Sequence, residues 1–200
     1  MRIVTAQELE SWLASGKVLE RDARGPKVVA LDNGLFLKIF HTRRHPLLAR
    51  LQPAARRFAR NAERLRQFDI PTPQVREIFW LDSKTGLSGC LYEPLPGYSI
   101  EQIYRQAPHQ MDASLPRLAG FIKQLHRLGI YFRSLHLGNI LLLPDGQHGL
   151  IDILDLQFKR KALNRWLIQR NFQHLSHYLQ RRKLTEFPLE ELIDRYWREN

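Results

Sequence analysis

Leu125-His126-Arg127-Leu128-Gly129-Ile130-Tyr131-Phe132-Arg133-Ser134-Leu135-His136-Leu137-Gly138-Asn139-Ile140-Leu141-Leu142, followed downstream by Gly149-Leu150-Ile151-Asp152, is the stretch on which the reading of this 200-residue chain turns. Leu115, Leu118, Ile122 and Leu125 recur at helical spacing, so a helix leads into it, with Ser114 as the expected N-cap. His126, at the end of that helix, reads as a packing residue. Tyr131 to Asn139 reads as a loop, and Ile140–Leu143 and Gly149–Ile153 as short apolar strands around the turn Pro144-Asp145-Gly146. A polar loop therefore ends on Asn139, and Asp152 closes the second strand. Asn139 can brace a loop or serve a ligand. A carboxylate at 152 within an apolar stretch is costly unless something pairs with it.

Downstream of this segment, Ile168, Phe172, Leu175 and Leu179 mark one helix, and Leu189, Leu192, Ile193, Tyr196 and Trp197 another. Upstream, Thr5-Ala6-Gln7-Glu8 reads as a capping box opening a helix that carries Leu9, Trp12 and Leu13. Lys17–Asp22, Lys27–Leu31 and Leu35–Phe40 are β-rich runs separated by Gly- and Asn-containing turns, a three-stranded antiparallel sheet. Pro53–Phe68 is helical, and Ile70-Pro71-Thr72-Pro73 ends it because prolines cannot continue a helix. Gln74–Trp80 and Ser88–Tyr92 add two strands, and Pro94-Leu95-Pro96-Gly97 is a stiff linker. The periodicity gives an α+β protein, sheet-rich in its first half and helical in its second. The expected division is 1–93, a linker at 94–97, and 98–200.

Composition narrows the setting. Hydrophobic residues make up 44% and charged residues 26%, with no low-complexity stretch, which excludes a disordered chain. Cys90 is the one cysteine, which points to a reducing compartment. The N-terminal residues lack the apolar run of a signal peptide and no stretch suggests a membrane span, so a soluble cytoplasmic protein is expected. The net charge of +11 asks for an anionic partner. The charge is clustered: Arg43, Arg44, Arg50, Arg56, Arg57, Arg60, Arg64 and Arg66 lie between His41 and Gln67 against Glu63 alone, and a second run follows Gln157. Either run could be a solvated helix face; two in one chain favour an anionic surface as partner. His41, His45, His174 and His177 show no clustering with Cys or acids, so no zinc site is expected.

The loop Phe132-Arg133-Ser134-Leu135-His136-Leu137-Gly138-Asn139 follows the kinase catalytic-loop form H-R-D-x-x-x-x-N, with Asn139 at the Asn position and Asp152 where the metal-binding Asp belongs. Mg²⁺ takes hard oxygen ligands and keeps several waters, so one amide oxygen and one carboxylate suit a Mg²⁺–nucleotide complex. Lys38, in Leu35-Phe36-Leu37-Lys38-Ile39-Phe40, fits the phosphate-gripping lysine on a sheet strand.

These motifs, with Ile70-Pro71-Thr72-Pro73 and Tyr92-Glu93-Pro94-Leu95-Pro96-Gly97, resemble the lipopolysaccharide core kinases, including Kdo and heptose kinases, over nearly the whole chain. The resemblance implies a two-lobed protein-kinase-like fold, with a small antiparallel-sheet first lobe and a mainly helical, shortened second lobe. It implies ATP and Mg²⁺ as cofactors, with ATP at the hinge and Lys38, Asn139 and Asp152 converging on one cleft. Lys38 matches the phosphate-binding residue, Asn139 and Asp152 the metal ligands, and Tyr92 and Glu93 the hinge groups facing adenine. His136 matches a residue near the transferred phosphate. The implied acceptor is a core sugar, an anionic glycolipid or phosphorylated sugar, at the inner face of the cytoplasmic membrane; nucleic acid is the less favoured partner.

Three departures set this chain apart. Ser134 stands at the catalytic Asp position. The helical position whose Glu should pair with Lys38 falls at Phe58 or Asn61. There is no glycine-rich phosphate loop. Two readings remain: an active phosphotransferase, with His136 or Asp155 taking over the missing base and activity falling below about pH 6.5 if the base is His136, or a pseudokinase that binds nucleotide or an anionic partner without transfer.

Overall fold

The computed structural model describes residues 1–41 and 46–198. Arg43, Arg44 and His45 lie outside the described residues. The chain divides into two compact units, one of residues 1–67 and 72–95, the other of residues 68–71 and 96–200.

The first unit is built on a sheet that holds six strands among the described residues: β1 (Arg2–Ile3), β2 (Lys17–Asp22), β3 (Gly25–Ala30), β4 (Phe36–Phe40), β5 (Gln74–Asp82) and β6 (Leu87–Glu93), in the order β1-β5-β6-β4-β3-β2. Every pairing is antiparallel except β1 with β5, so the sheet is mixed where an all-antiparallel one was expected. Strand alternation sorts the side chains between two faces. Leu37 and Ile39 join Val29, Phe79 and Leu91 in a core covered by Leu9, Trp12 and Leu13 of α1 (Ala6–Ser15). Phe36, Lys38 and Phe40 point to the other face, where α3 (Ala54–Arg66) lays Ala55, Phe58, Ala62 and Leu65 on the sheet. Helix α2 (Pro46–Leu51) precedes α3. The capping box at α1 is half formed. Thr5 Oγ1 accepts from Glu8 N at 3.1 Å, but the Glu8 carboxylate holds the Arg2 guanidinium instead of returning to Thr5.

In the second unit, β7 (Tyr98–Ser99) leads into α4 (Ile100–Gln106), opened by a complete capping box between Ser99 and Gln102. Then come α5 (Met111–Arg127), β8 (Ile130–Phe132), β9 (Ile140–Leu142), β10 (His148–Leu150), β11 (Leu156–Phe158), α6 (Arg165–Arg181) and α7 (Leu189–Arg198). Helix α5 starts earlier than expected: a 3₁₀ turn at Pro108–Gln110 runs straight into it, and Ser114 lies inside, donating to Met111 O at 2.9 Å rather than capping. Strand β9 pairs with β10 and β7, and β8 with β11. Residues 68–71 join this unit because Leu150 N donates to Pro71 O at 2.9 Å and Phe68 stacks on Phe158. Among the described residues no helix is long and apolar enough to cross a membrane.

Candidate functional site

Two short pairings position the loop between β8 and β9. The β8–β11 register sets Leu156 opposite Phe132, so residue 155, just before β11, arrives beside residues 133 and 134, just after β8. The Ser134 hydroxyl accordingly donates to Asp155 Oδ2 at 2.5 Å, and Arg133 Nε lies 4.0 Å from the same oxygen. The β9–β10 register pairs Leu150 with Ile140. Its continuation is a bond from Ile151 N to Asn139 O at 3.0 Å, which brings Asn139 and Asp152 to one end of the hairpin. Asn139 is buried, and its Nδ2 donates to Ser134 O at 3.1 Å. With the nitrogen committed, the amide oxygen is the end left to serve a cation.

Asp152 takes a left-handed conformation, φ 53° and ψ 44°, which Asp tolerates better than most side chains. That turn rotates it out of the strand: its neighbours Leu150 and Ile153 are buried, while Asp152 is exposed. The expectation of a carboxylate trapped in apolar surroundings is therefore corrected. Asp155 is corrected in the opposite sense. It reads from sequence as a weaker second carboxylate, more at home on the surface than in a site, yet it is half-buried, its side chain 29% exposed. Burial pushes its pKa up, aided by the negative Asp152, while the Ser134 bond and Arg133 pull it down less.

The ring of His136 lies flat on Tyr178 of α6, with centroids 4.0 Å apart and planes 4° from parallel. Burial lowers its pKa to about 4, against the upward pull of Asp152 and Glu101. His136 is therefore neutral at physiological pH, and its titration lies below the pH 6.5 of an unperturbed imidazole. Tyr178 donates a short hydrogen bond to Glu101, a buried carboxylate that also accepts from Arg105 Nε at 2.9 Å and Arg182 Nη2 at 2.8 Å. Burial raises the Glu101 pKa, but these donors outweigh it and the net shift is downward. Glu101 N in turn donates to Leu137 O at 3.1 Å, tying α4 to the loop. Gly138 fits the crowding here: a Cβ would come within 2.8 Å of the Tyr178 hydroxyl and 3.3 Å of His136 Nδ1.

Beside the loop lies a groove of ≈ 620 Å³ lined by Arg133, Ser134, Leu135, His136, Asp155, His174, His177, Tyr178, Gln180 and Arg181. Three polar atoms of its lining residues, His136 Nδ1, Asp155 Oδ1 and His174 Nε2, are buried without a hydrogen-bond partner in the protein. Such orphan atoms carry a desolvation cost that a polar ligand would relieve. Sequence reasoning missed Glu101 and Tyr178. The Ser99-x-x-Gln102 capping signature marked the start of α4, but nothing local announced the long-range bond.

The remaining expected site residues belong to the first unit. Lys38 points to the α3 face, its Nζ 5.7 Å from the Phe58 ring centroid, so the aromatic ring stands where a Glu partner was expected and meets the ammonium through its π face. Phe58 also packs on Phe40 and Tyr92 at 5.4 and 6.0 Å. Tyr92 is flanked by Phe36 on β4 and Val75 on β5, whereas Glu93 is flanked by Gln74 alone and binds Arg76 through its side chain.

Among the described residues no group of three or more His, Cys, Asp or Glu is arranged to hold a metal. A cation at Asn139 and Asp152 would draw its other ligands from phosphate oxygens and water, the usual habit of Mg²⁺. A comparison with curated proteins finds no match. The profile of the lipopolysaccharide kinase (Kdo/WaaP) family matches residues 33–196, a span that takes in Lys38, the loop from Arg133 to Asn139 and Asp152. The chain belongs to the lipopolysaccharide kinase (Kdo/WaaP) family, with an α+β, two-lobed kinase-like fold.

Proposed function

We propose that this protein transfers the terminal phosphate of Mg²⁺–ATP to a hydroxyl of an anionic glycolipid or phosphorylated sugar, working in the cytoplasm at the inner face of the cytoplasmic membrane. The observation that carries this reading is the loop geometry: Asn139 and Asp152 sit at one hairpin end, and the adjoining groove presents Arg133, Arg181 and the Ser134–Asp155 pair. When bound, Mg²⁺ would neutralise the phosphate charge from Asn139 and Asp152. Lys38 would hold the phosphates, and Glu93, flanked on one side only, leaves more of the strand end open to a base than Tyr92 does.

In the reaction the acceptor oxygen bonds to the terminal phosphorus, the bond to the leaving ADP oxygen breaks, and the acceptor proton must go to a base. Asp155 is the better-placed base. Partial burial raises its proton affinity above that of an ordinary carboxylate, and Ser134, at the position of the missing Asp, holds it by hydrogen bond. His136 serves instead to shape the loop against Tyr178. Most phosphoryl-transfer catalysis is positioning and charge neutralisation, so a displaced base is compatible with turnover.

The pseudokinase reading is favoured by Ser134 and by Phe58 in place of an acidic partner for Lys38. Transfer of label from γ-labelled ATP to a core lipopolysaccharide preparation, with Mg²⁺, separates the two. Active wild type, with Asp155→Asn slowed about 10²–10⁴-fold and His136→Gln slowed much less, supports transfer through Asp155. Absence of transfer, with a Mg²⁺–ATP thermal shift that Asp152→Ala abolishes, supports the pseudokinase.

A further inference from the structure

Helix α2 is seated through one small residue. Ala49 is buried, and it packs so closely on Gly86, in the β5–β6 turn, that a Cβ there would lie 2.5 Å from the Ala49 methyl. The helix shows its leucines outward: Leu47, Leu48 and Leu51 are 61%, 57% and 76% exposed. They do not stand alone. Leu47, Arg50 and Leu51 share a shallow hollow with Trp80 and Ser83. Trp80 is paired with Ile3, itself 61% exposed, and directly paired strand residues lie on one face of a sheet. Ile3, Trp80, Leu47, Leu48 and Leu51 thus form one apolar surface on a single edge of the first unit.

Cations border it. Arg50 lies in the hollow itself, and Lys84 is exposed in the turn on which α2 sits. Two residues beyond α2, α3 carries Arg56, Arg60 and Arg64 at intervals of four, all exposed, on the side opposite its buried Ala55, Phe58 and Ala62. Like charges at that spacing work against a helix unless anions lie over them.

We propose that this edge of the first unit docks on an anionic lipid bilayer, with the α2 leucines, Ile3 and Trp80 entering the interface and Arg50, Arg56, Arg60, Arg64 and Lys84 meeting lipid phosphates. Leucines beside arginines are the make-up of interfacial helices, which bind through buried apolar area plus attraction to anionic headgroups. A second copy of this chain is a poor occupant, because each copy would bring the same cations to the contact and carries a net charge of +11. A nucleic acid would use the cations and leave the leucines in water. The inference deepens the membrane setting proposed above and does not depend on phosphate transfer, so its test reads binding alone.

The test is flotation of the full chain with vesicles of phosphatidylcholine, and of phosphatidylcholine with phosphatidylserine at about seven to three. Wild type is expected to float with the mixed vesicles only, and less as salt rises. Arg56→Gln with Arg60→Gln is expected to weaken binding about fivefold for each arginine. Leu47→Gln with Leu51→Gln is expected to weaken it at least tenfold, a floor below the roughly hundredfold or greater loss that keeping two leucine side chains fully out of the interface implies. These side chains are exposed, so circular dichroism and the melting temperature should match wild type. Failure of wild type to float, or binding untouched by the leucine pair, overturns the proposal. So does lipid-free dimerisation in sedimentation velocity that the leucine pair abolishes, which would make this edge a contact between copies.

Discussion

His126 offers a test of the second unit that needs no substrate. Its Nε2 lies 3.1 Å from Asn171 Oδ1 and its Nδ1 2.9 Å from the Tyr196 hydroxyl. Asn171 Nδ2 donates to Phe132 O at 2.9 Å, which orients the amide so that its oxygen faces the ring. Nε2 is therefore the protonated nitrogen, and Nδ1 accepts from Tyr196. The ring is neutral, packed edge-on to Phe172 and Tyr196, and burial lowers its pKa from 6.5 to about 4. The unfolded chain then takes up a proton that the folded chain refuses. The contribution to stability is complete above about pH 6.5 and is lost as pH falls toward 4. At about 1.4 kcal/mol for each tenfold difference in proton affinity, the loss amounts to about 3 kcal/mol. His148 and His136 are also lowered to about 4, so wild type alone would report all three. The experiment is a pair of denaturant-unfolding series from pH 7.5 to 4, on wild type and His126→Gln, with the difference taken at each pH. The variant should be less stable at pH 7, and the gap should shrink by about 3 kcal/mol by pH 4. A gap that stays constant across that range would refute the neutral, buried assignment.

Phe58→Ala should cost about 3–5 kcal/mol, because the ring is fully buried between Phe40 and Tyr92, and a thermal melt should fall by roughly 10 °C for a chain of this size. A loss under about 1 kcal/mol would mean that α3 does not seat on the sheet through this ring. Glu101→Gln should destabilise the protein by about 1–3 kcal/mol at neutral pH, since Arg105, Arg182 and Tyr178 all lose their charged acceptor. The Glu101 pKa is depressed, so its contribution is present above the ordinary carboxylate range and lost as pH falls through it. Chemical denaturation of wild type and variant should converge in acid, and persistent divergence there would count against a charged Glu101.

Much of this was legible in the sequence where the pattern is local and repeated. β-rich runs bounded by turns gave β2 to β6, the helix-forming composition of Pro53–Phe68 gave α3, and the 3.6-residue period gave α5, α6 and α7, because burying one face of a helix imposes that spacing on the chain. Strand alternation fixed Lys38 on the face opposite Leu37 and Ile39, and loop spacing fixed Asn139 and Asp152 as a pair. Short elements left little trace. Strand β1 has two residues, too few for any period, and it exists because Val4 N and Arg2–Ile3 find the open edge of β5. The sequence could show that Ser134 and Phe58 break a pattern; it could not show what fills the gap. The β8–β11 register brings Asp155 to Ser134, the ring of His136 lies flat on Tyr178 where burial lowers its pKa, and a left-handed turn lifts Asp152 into solvent. Each outcome depends on a residue far along the chain arriving at a given distance and burial. Proton affinity and hydrogen-bond partnership follow from that surrounding environment, which only the tertiary structure assembles.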